Sequence, residues 1–259
     1  MEESAYRAYP FRSAVMKFLP IWLAALALCL LAPMRPAAAA AAAALRINTG
    51  VGAPYIQTDR KGFLDLLVPE IFRRVGIQAE AVGYAASERA MINANNGIDD
   101  GMAMRIKGLE AIYPNLLRVE EKIIDNDFVA YSIRHDFKTT GFDSLKPYQV
   151  GYIIGWKVFE APLRSAPSIT LVQDANQLFT LLDKDRADVV LFERWQGNWQ
   201  VRERGIPARL LLPPLVTTEM YMYLHKKHAH LLGRVAEALR AAKADGSYRR
   251  IHEQSLPRL

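Results

Sequence analysis

From Leu45 onward, short apolar runs alternate with stretches in which apolar residues recur three and four positions apart. That alternation predicts β/α units carried on mostly parallel strands. "LRINTG" (45–50) predicts a strand, and "LLVPEIFRRVG" (66–76) a helix with Gly76 at its C-terminal cap. "QAEAVGY" (78–84) reads as a second strand. "SERAMINANNG" (87–97) reads as a helix with Ser87 as N-cap and Gly97 as terminator. "DDGMAMR" (99–105) is a third strand, and it ends on a charge.

The segment from "NLLRVEEKI" (115–123) to "DFVAYSIR" (127–134) is extended and leads away from this first set. A second set follows: "YQVGYIIG" (148–155) as strand, "WKVFEAPL" (156–163) as short helix and "SITLVQ" (168–173) as strand. In "DANQLFTLLDKDR" (174–186), Ala175, Leu178, Phe179 and Leu182 fall on one buried helical face. "DVVLFE" (188–193) is the strand after it. Pro213 and Pro214 then interrupt the pattern, and "TTEMYMYLH" (217–225) runs extended back toward the first set. A C-terminal helix over 230–246 puts Leu232, Val235, Leu239 and Ala242 on one side, and a last short helix holds Tyr248 and Ile251.

One β/α set inserted in another predicts two lobes joined by two chain crossings, with a ligand cleft between them. The expected division is lobe 1 over 45–133 and 217–259, and lobe 2 over 134–216. Each lobe is expected to be a mostly parallel sheet flanked by helices.

The first 44 residues belong to neither lobe. Arg7, Arg12 and Lys17 precede the apolar run "FLPIWLAALALCLLA" (18–32), and Ala37 to Ala44 follow it. A basic start, an apolar middle and small residues at the end predict a signal peptide over 1–44 and an exported protein. Pro20 and Pro33 bracket a run shorter than the roughly 20 residues of a membrane span. Loss of this segment takes the net charge from +6 to +4, with 29 basic against 25 acidic side chains, and removes the one cysteine, Cys29. The remaining chain must hold together without disulfides in an oxidising compartment. Its positive charge is dispersed, with no basic run, which argues against nucleic acid as a partner.

The order of "APYIQTDRKGFLDLLVPEIFRRVG", "GIDD", "KPYQVGYIIGW", "DKDRADVVLFE" and "ALRAAKADGSYRRI" resembles the bacterial extracellular solute-binding proteins of family 3, the polar amino-acid type. The resemblance covers residues 45 to 259. It implies an α/β, two-lobe periplasmic-binding-protein-like (type II) fold. It also implies a monomer that closes on an amino acid or related polar solute and serves an inner-membrane ABC permease. No enzymatic activity, cofactor or metal is implied.

The resemblance also suggests where the ligand lies. Family members receive the ligand's α-ammonium on an acidic residue five positions after the Asp of the "DVV"-like strand, and Asp188 plus five is Glu193. The opposing reading of Glu193 is an internal ion pair with Arg194 or Arg202. Arg105 offers a guanidinium fork that matches a carboxylate; otherwise it pairs with Asp99, Asp100 or Glu110. The Thr-x-x-Arg signature common in the family is missing, replaced by "RIKGLEAIYPNLLRV".

Tyr55 stands where the family places an aromatic over the ligand, or else packs in its loop. Gly155 and Trp156 open a helix whose N–H groups could receive a carboxylate, with Trp156 as core the other reading. Arg89 is a third cleft base or a solvated side chain.

"HKKHAH" collects His225, His228 and His230 without a carboxylate or cysteine at metal-ligand spacing, and reads as a solvated basic turn. No phosphate-binding Gly-rich loop, GxSxG or HExxH is present. Two other functions fit the same fold. A periplasmic enzyme of the cyclohexadienyl dehydratase kind would use Glu193 as a proton donor, and a sensing module would pass ligand occupancy to a membrane signalling receptor.

Overall fold

A computed structural model describes residues 43–164 and 167–259, so the signal peptide expected over 1–44 lies outside the described residues except for its last two. Eight strands are present: β1 (Leu45–Thr49), β2 (Ala79–Gly83), β3 (Gly101–Arg105), β4 (Leu116–Ser132), β5 (Val150–Ile153), β6 (Ile169–Val172), β7 (Val189–Glu193) and β8 (Arg209–His225). They form one continuous sheet in the order β2-β1-β3-β8-β4-β7-β5-β6. Two parallel triplets, β2-β1-β3 and β7-β5-β6, are therefore joined by the two 17-residue strands β4 and β8, which pair antiparallel along their length.

Helices cover the sheet: α1 (Phe63–Arg74), α2 (Ser87–Asn95), α3 (Lys157–Glu160), α4 (Ala175–Asp183), α5 (Arg194–Arg204), α6 (Leu232–Ala244) and α7 (Ser247–Ser255). Helix α1 starts three residues before the predicted stretch. Its Asp65 carboxylate accepts the backbone N–H of Gly62 at the helix start, a donor the helix leaves free, and that of Gln57 in the loop before it. Gly76 follows its C-cap with φ +73°, the left-handed geometry that ends a helix without a Cβ penalty.

Two predictions are corrected and one helix is new. Ser87 does not cap α2; Ala86 holds that position, and the Ser87 hydroxyl donates to the Gly50 carbonyl at 3.3 Å. Pro213 and Pro214 interrupt the pattern without stopping the strand, because β8 starts at Arg209, eight residues before the predicted 217. They sit inside β8 where its register on β4 jumps, between Ala130↔Leu211 and Phe128↔Val216, and a bulge is where a sheet accommodates a residue without an N–H. Helix α5 was not predicted. It begins straight after β7 and ends at Gly205 with φ +61°.

The apolar interior is divided. Ile47, Phe63, Phe72, Met222, Val235 and Leu239 belong to one buried cluster around β1, α1 and α6. Leu178, Phe179, Val190 and Phe192 form another around α4 and β7, and Val150, Phe159 and Leu191 a third beside it. Trp195, at the start of α5, is buried with the first cluster although it follows β7 directly. Among the described residues no helix is long and apolar enough to cross a membrane.

Candidate ligand site between the strand ends

Register alone shows which ends of the two triplets face each other. Arg105 pairs with Tyr221 on β8, and Tyr221 with Lys122 on β4, so β3 ends at the level of Lys122. Strand β7 runs the opposite way and ends with Glu193 paired to Phe128. The carboxyl ends of the two triplets thus point at one another along β4, separated by six β4 residues or about 20 Å of extended chain. Ligands of open α/β sheets bind beyond such strand ends.

Arg105 stands at this edge with an incomplete set of partners. Its Nη1 donates a long 3.4 Å bond to the Met104 carbonyl, while Nε and Nη2 are buried and have no partner among the described residues. The acids that sequence offered as structural partners are engaged elsewhere: Asp99 by Arg46 and Asn48, Asp100 by Lys227 and His228, and Glu110 by Tyr223. Burial pulls the Arg105 guanidinium below its ordinary value, with Tyr113 and Glu88 pulling weakly the other way. Met104, just before it, is fully buried with φ +62°, and the β3–β8 register shifts between Met102 and Arg105. A non-glycine residue in that region is strained, and the irregularity falls between the pairs Met102↔Tyr223 and Arg105↔Tyr221.

Glu193 is differently placed. It is 2% exposed and is the N-cap of α5: Oε1 accepts the Trp195 N–H at 3.0 Å and Oε2 the Gln196 N–H at 2.9 Å. Oε1 also accepts the hydroxyl of Tyr55 at 3.1 Å, with Asn126 Oδ1 3.3 Å from the same hydroxyl. Burial pushes the Glu193 carboxyl up to about 7, against the pull of the two N–H donors and the Tyr55 hydroxyl. Neither proposed ion pair forms, because Arg194 binds Asp127 at 3.1 Å and lies over the Trp195 ring. Tyr55 is fully buried and packs edge-on to Phe63, so it is core and bridge at once. Burial and the Glu193 charge hold its hydroxyl well above the usual phenol range.

Of the remaining candidates, the Gly155 N–H donates to Glu160 Oε1 at 2.9 Å. Trp156 is half-buried, stacked on Phe192 with centroids 4.7 Å apart and edge-on to Phe128. Arg89 is exposed on α2. The structure brings Tyr55 and Glu193 together, and groups Trp156 with the aromatic residues beyond β5. It does not bring Arg105 to Glu193.

His228 Nε2 lies 2.7 Å from Asp100 Oδ1, and no group of three metal-ligating side chains occurs among the described residues. A groove of about 600 Å³ runs past Gln57, Lys61, Trp199, Arg202 and Pro257, and one of about 520 Å³ past Asp127, Trp195, Tyr248 and His252. Neither is lined by Tyr55, Arg105, Trp156 or Glu193. Sequence reasoning missed Asn126 and the strained Met104. Neither carried a distinctive signal, since Asn126 lies between Asp125 and Asp127 in a polar triplet and Met104 is a bulky residue before a strand-end charge.

Solved structures share this fold. The chain is similar to the probable amino-acid ABC transporter extracellular-binding protein of Bacillus subtilis, with TM-score 0.68 and 16% identity over 82% of this chain and 97% of that one. It is similar to the GluR0 ligand-binding core from Nostoc punctiforme in complex with L-glutamate, with TM-score 0.64 and 17% identity over 82% and 98%. A histidine kinase sensor domain similar to periplasmic binding proteins gives TM-score 0.65 and 16% identity over 83% and 96%. An uncharacterized protein of Shewanella oneidensis is 26% identical over 151 residues, which span 54% of this chain and 56% of that protein. No family model matches. The architecture is the two-lobe periplasmic-binding-protein fold.

Proposed function

We propose that this chain, built on the two-lobe fold of periplasmic binding proteins, is an exported receptor that captures a small solute between its facing strand ends and delivers it to an inner-membrane ABC permease. It acts by binding, without catalysis. The observation that carries the reading is Arg105, a guanidinium at the carboxyl end of β3 with two buried N–H positions that nothing among the described residues fills. An unfilled buried cation is costly, and a carboxylate seated bidentately on that fork removes the cost. Closure follows when the same ligand also contacts the second lobe, because only differential affinity for the closed form shifts the equilibrium.

The elevated titration of Glu193 favours a second reading, an enzyme with Glu193 as proton donor. Against it stands the use of both carboxyl oxygens in capping α5 and the near-complete burial of the group. The fold serves importers and sensors alike, and co-purification with a permease or a membrane kinase separates those two roles.

The test is a thermal-shift screen of the refolded protein against small carboxylates, amino acids, opines and polyamines. A ligand at about 100 times its dissociation constant adds roughly 2.7 kcal/mol of stability. Arg105→Met abolishes the shift produced by an acid. A shift that survives this substitution removes Arg105 from the site.

A further inference from the structure

We infer that the ligand is a carboxylic acid with an apolar body and no ammonium group. This rests on the receptor reading above and narrows its ligand class. A zwitterion needs an anion to meet its cation, and the acids on the elements around the gap are already engaged. Glu193 is sealed under Tyr55 with both oxygens accepting backbone N–H groups of α5. On β4, Asp127 holds Arg194 and the Thr217 hydroxyl, and Asp125 holds Lys122. Glu219 on β8 holds the Tyr221 hydroxyl and Lys122. Glu88 holds the Tyr113 hydroxyl, and Glu160 holds Lys157 and the Gly155 N–H. Arg105, by contrast, keeps two donors open. Among the described residues around the gap, Arg105 is thus the buried cation with two open donors, a match for a monoanion.

The residues immediately after the facing strand ends supply the second half of the inference. Ile106 follows Arg105 at the end of β3 and is 53% exposed, and Ile154 follows β5 and is 49% exposed. Exposed large apolar side chains at the carboxyl ends of both triplets offer an apolar body something to cover. Trp156, braced by Phe192 and Phe128, extends that surface on the second lobe.

Titration calorimetry on the full chain, unfolded and refolded to strip carried-over ligand, tests this with two matched sets. The first is 3-phenylpropanoate, L-phenylalanine and 2-phenylethylamine; the second is 4-methylpentanoate, L-leucine and 3-methylbutylamine. The expected result is that at least one acid binds, that its amino-acid counterpart binds at least tenfold more weakly, and that the amines do not bind. Arg105→Met weakens the acid by at least a hundredfold. An amino acid that binds as tightly as its acid, with the same dependence on Arg105, overturns the ligand class and leaves the receptor standing. Binding to none of the six, or binding indifferent to Arg105, overturns the ligand class together with the site on which the receptor reading depends.

Discussion

The Tyr55 hydroxyl donates to Glu193 Oε1 at 3.1 Å across 138 positions of chain, joining the loop after β1 to the end of β7. Neither residue touches solvent appreciably, at 0% and 2% exposure. The bond therefore ties the two strand triplets together beside β4, and its strength depends on whether Glu193 is ionised.

That dependence gives a pH prediction. Folding raises the Glu193 carboxyl from an ordinary 4.5 to about 7. Between those values the folded protein holds a proton that the unfolded chain has released, so stability falls as pH rises through that window and levels off above it. The effect is on the order of 3 kcal/mol. Urea midpoints at pH 5 and pH 8, compared between the wild type and Glu193→Gln, isolate this group from His225 and His252, which burial lowers and whose effect on stability therefore has the opposite sign. A difference between the two proteins that is the same at both pH values means Glu193 does not titrate there.

Tyr55→Phe removes the donor and keeps the ring against Phe63. The expected cost is about 1–2 kcal/mol in urea unfolding at pH 8, where Glu193 is charged and loses a donor. Because the hydroxyl favours the carboxylate, its removal also moves the Glu193 titration upward. The cost is accordingly smaller at pH 5.

Arg105→Met behaves oppositely to most substitutions of half-buried residues. It replaces an unpaired guanidinium with an unbranched apolar chain, so stability without ligand rises by on the order of 1 kcal/mol while acid binding is lost. A drop in the ligand-free urea midpoint means that the guanidinium has a partner in the free protein.

Gly197→Ala tests how closely α5 is pressed onto the crossing strand. A Cβ there falls well inside van der Waals contact with the Tyr131 ring and hydroxyl, and Tyr131 is held by bonds to the Arg194 carbonyl and Asn198. Overpacking of about 1–3 kcal/mol is expected, read as a lowered thermal midpoint.

Seven of the eight strands follow from apolar runs within two residues of the predicted ends, and α1, α4 and α6 from their spacing, because each buries one face against the sheet. Helix α5 escaped because "RWQGNWQVRER" carries no apolar stripe; it is held instead by the caps at Glu193 and Gly205 and by Trp195 buried against the other lobe. Missing α5 hid the role of Glu193, since glutamate is not among the residues that usually announce an N-cap. Arg105 was legible as a charge at a strand end. Its unfilled donors were not, because they depend on where Asp99, Asp100 and Glu110 find their own partners.

Strand β8 occupies the middle of the sheet, hydrogen-bonded to β3 on one side and β4 on the other, yet it is made only after β5, β6 and β7. Until His225 has emerged, β3 and β4 each present a bare edge, and the first β/α set cannot be sealed to the second. A chain cut short before residue 209 loses its central strand rather than an outer one. Until β8 has been made the nascent chain stays unfinished and adhesive, which exposes products truncated before it to proteolysis.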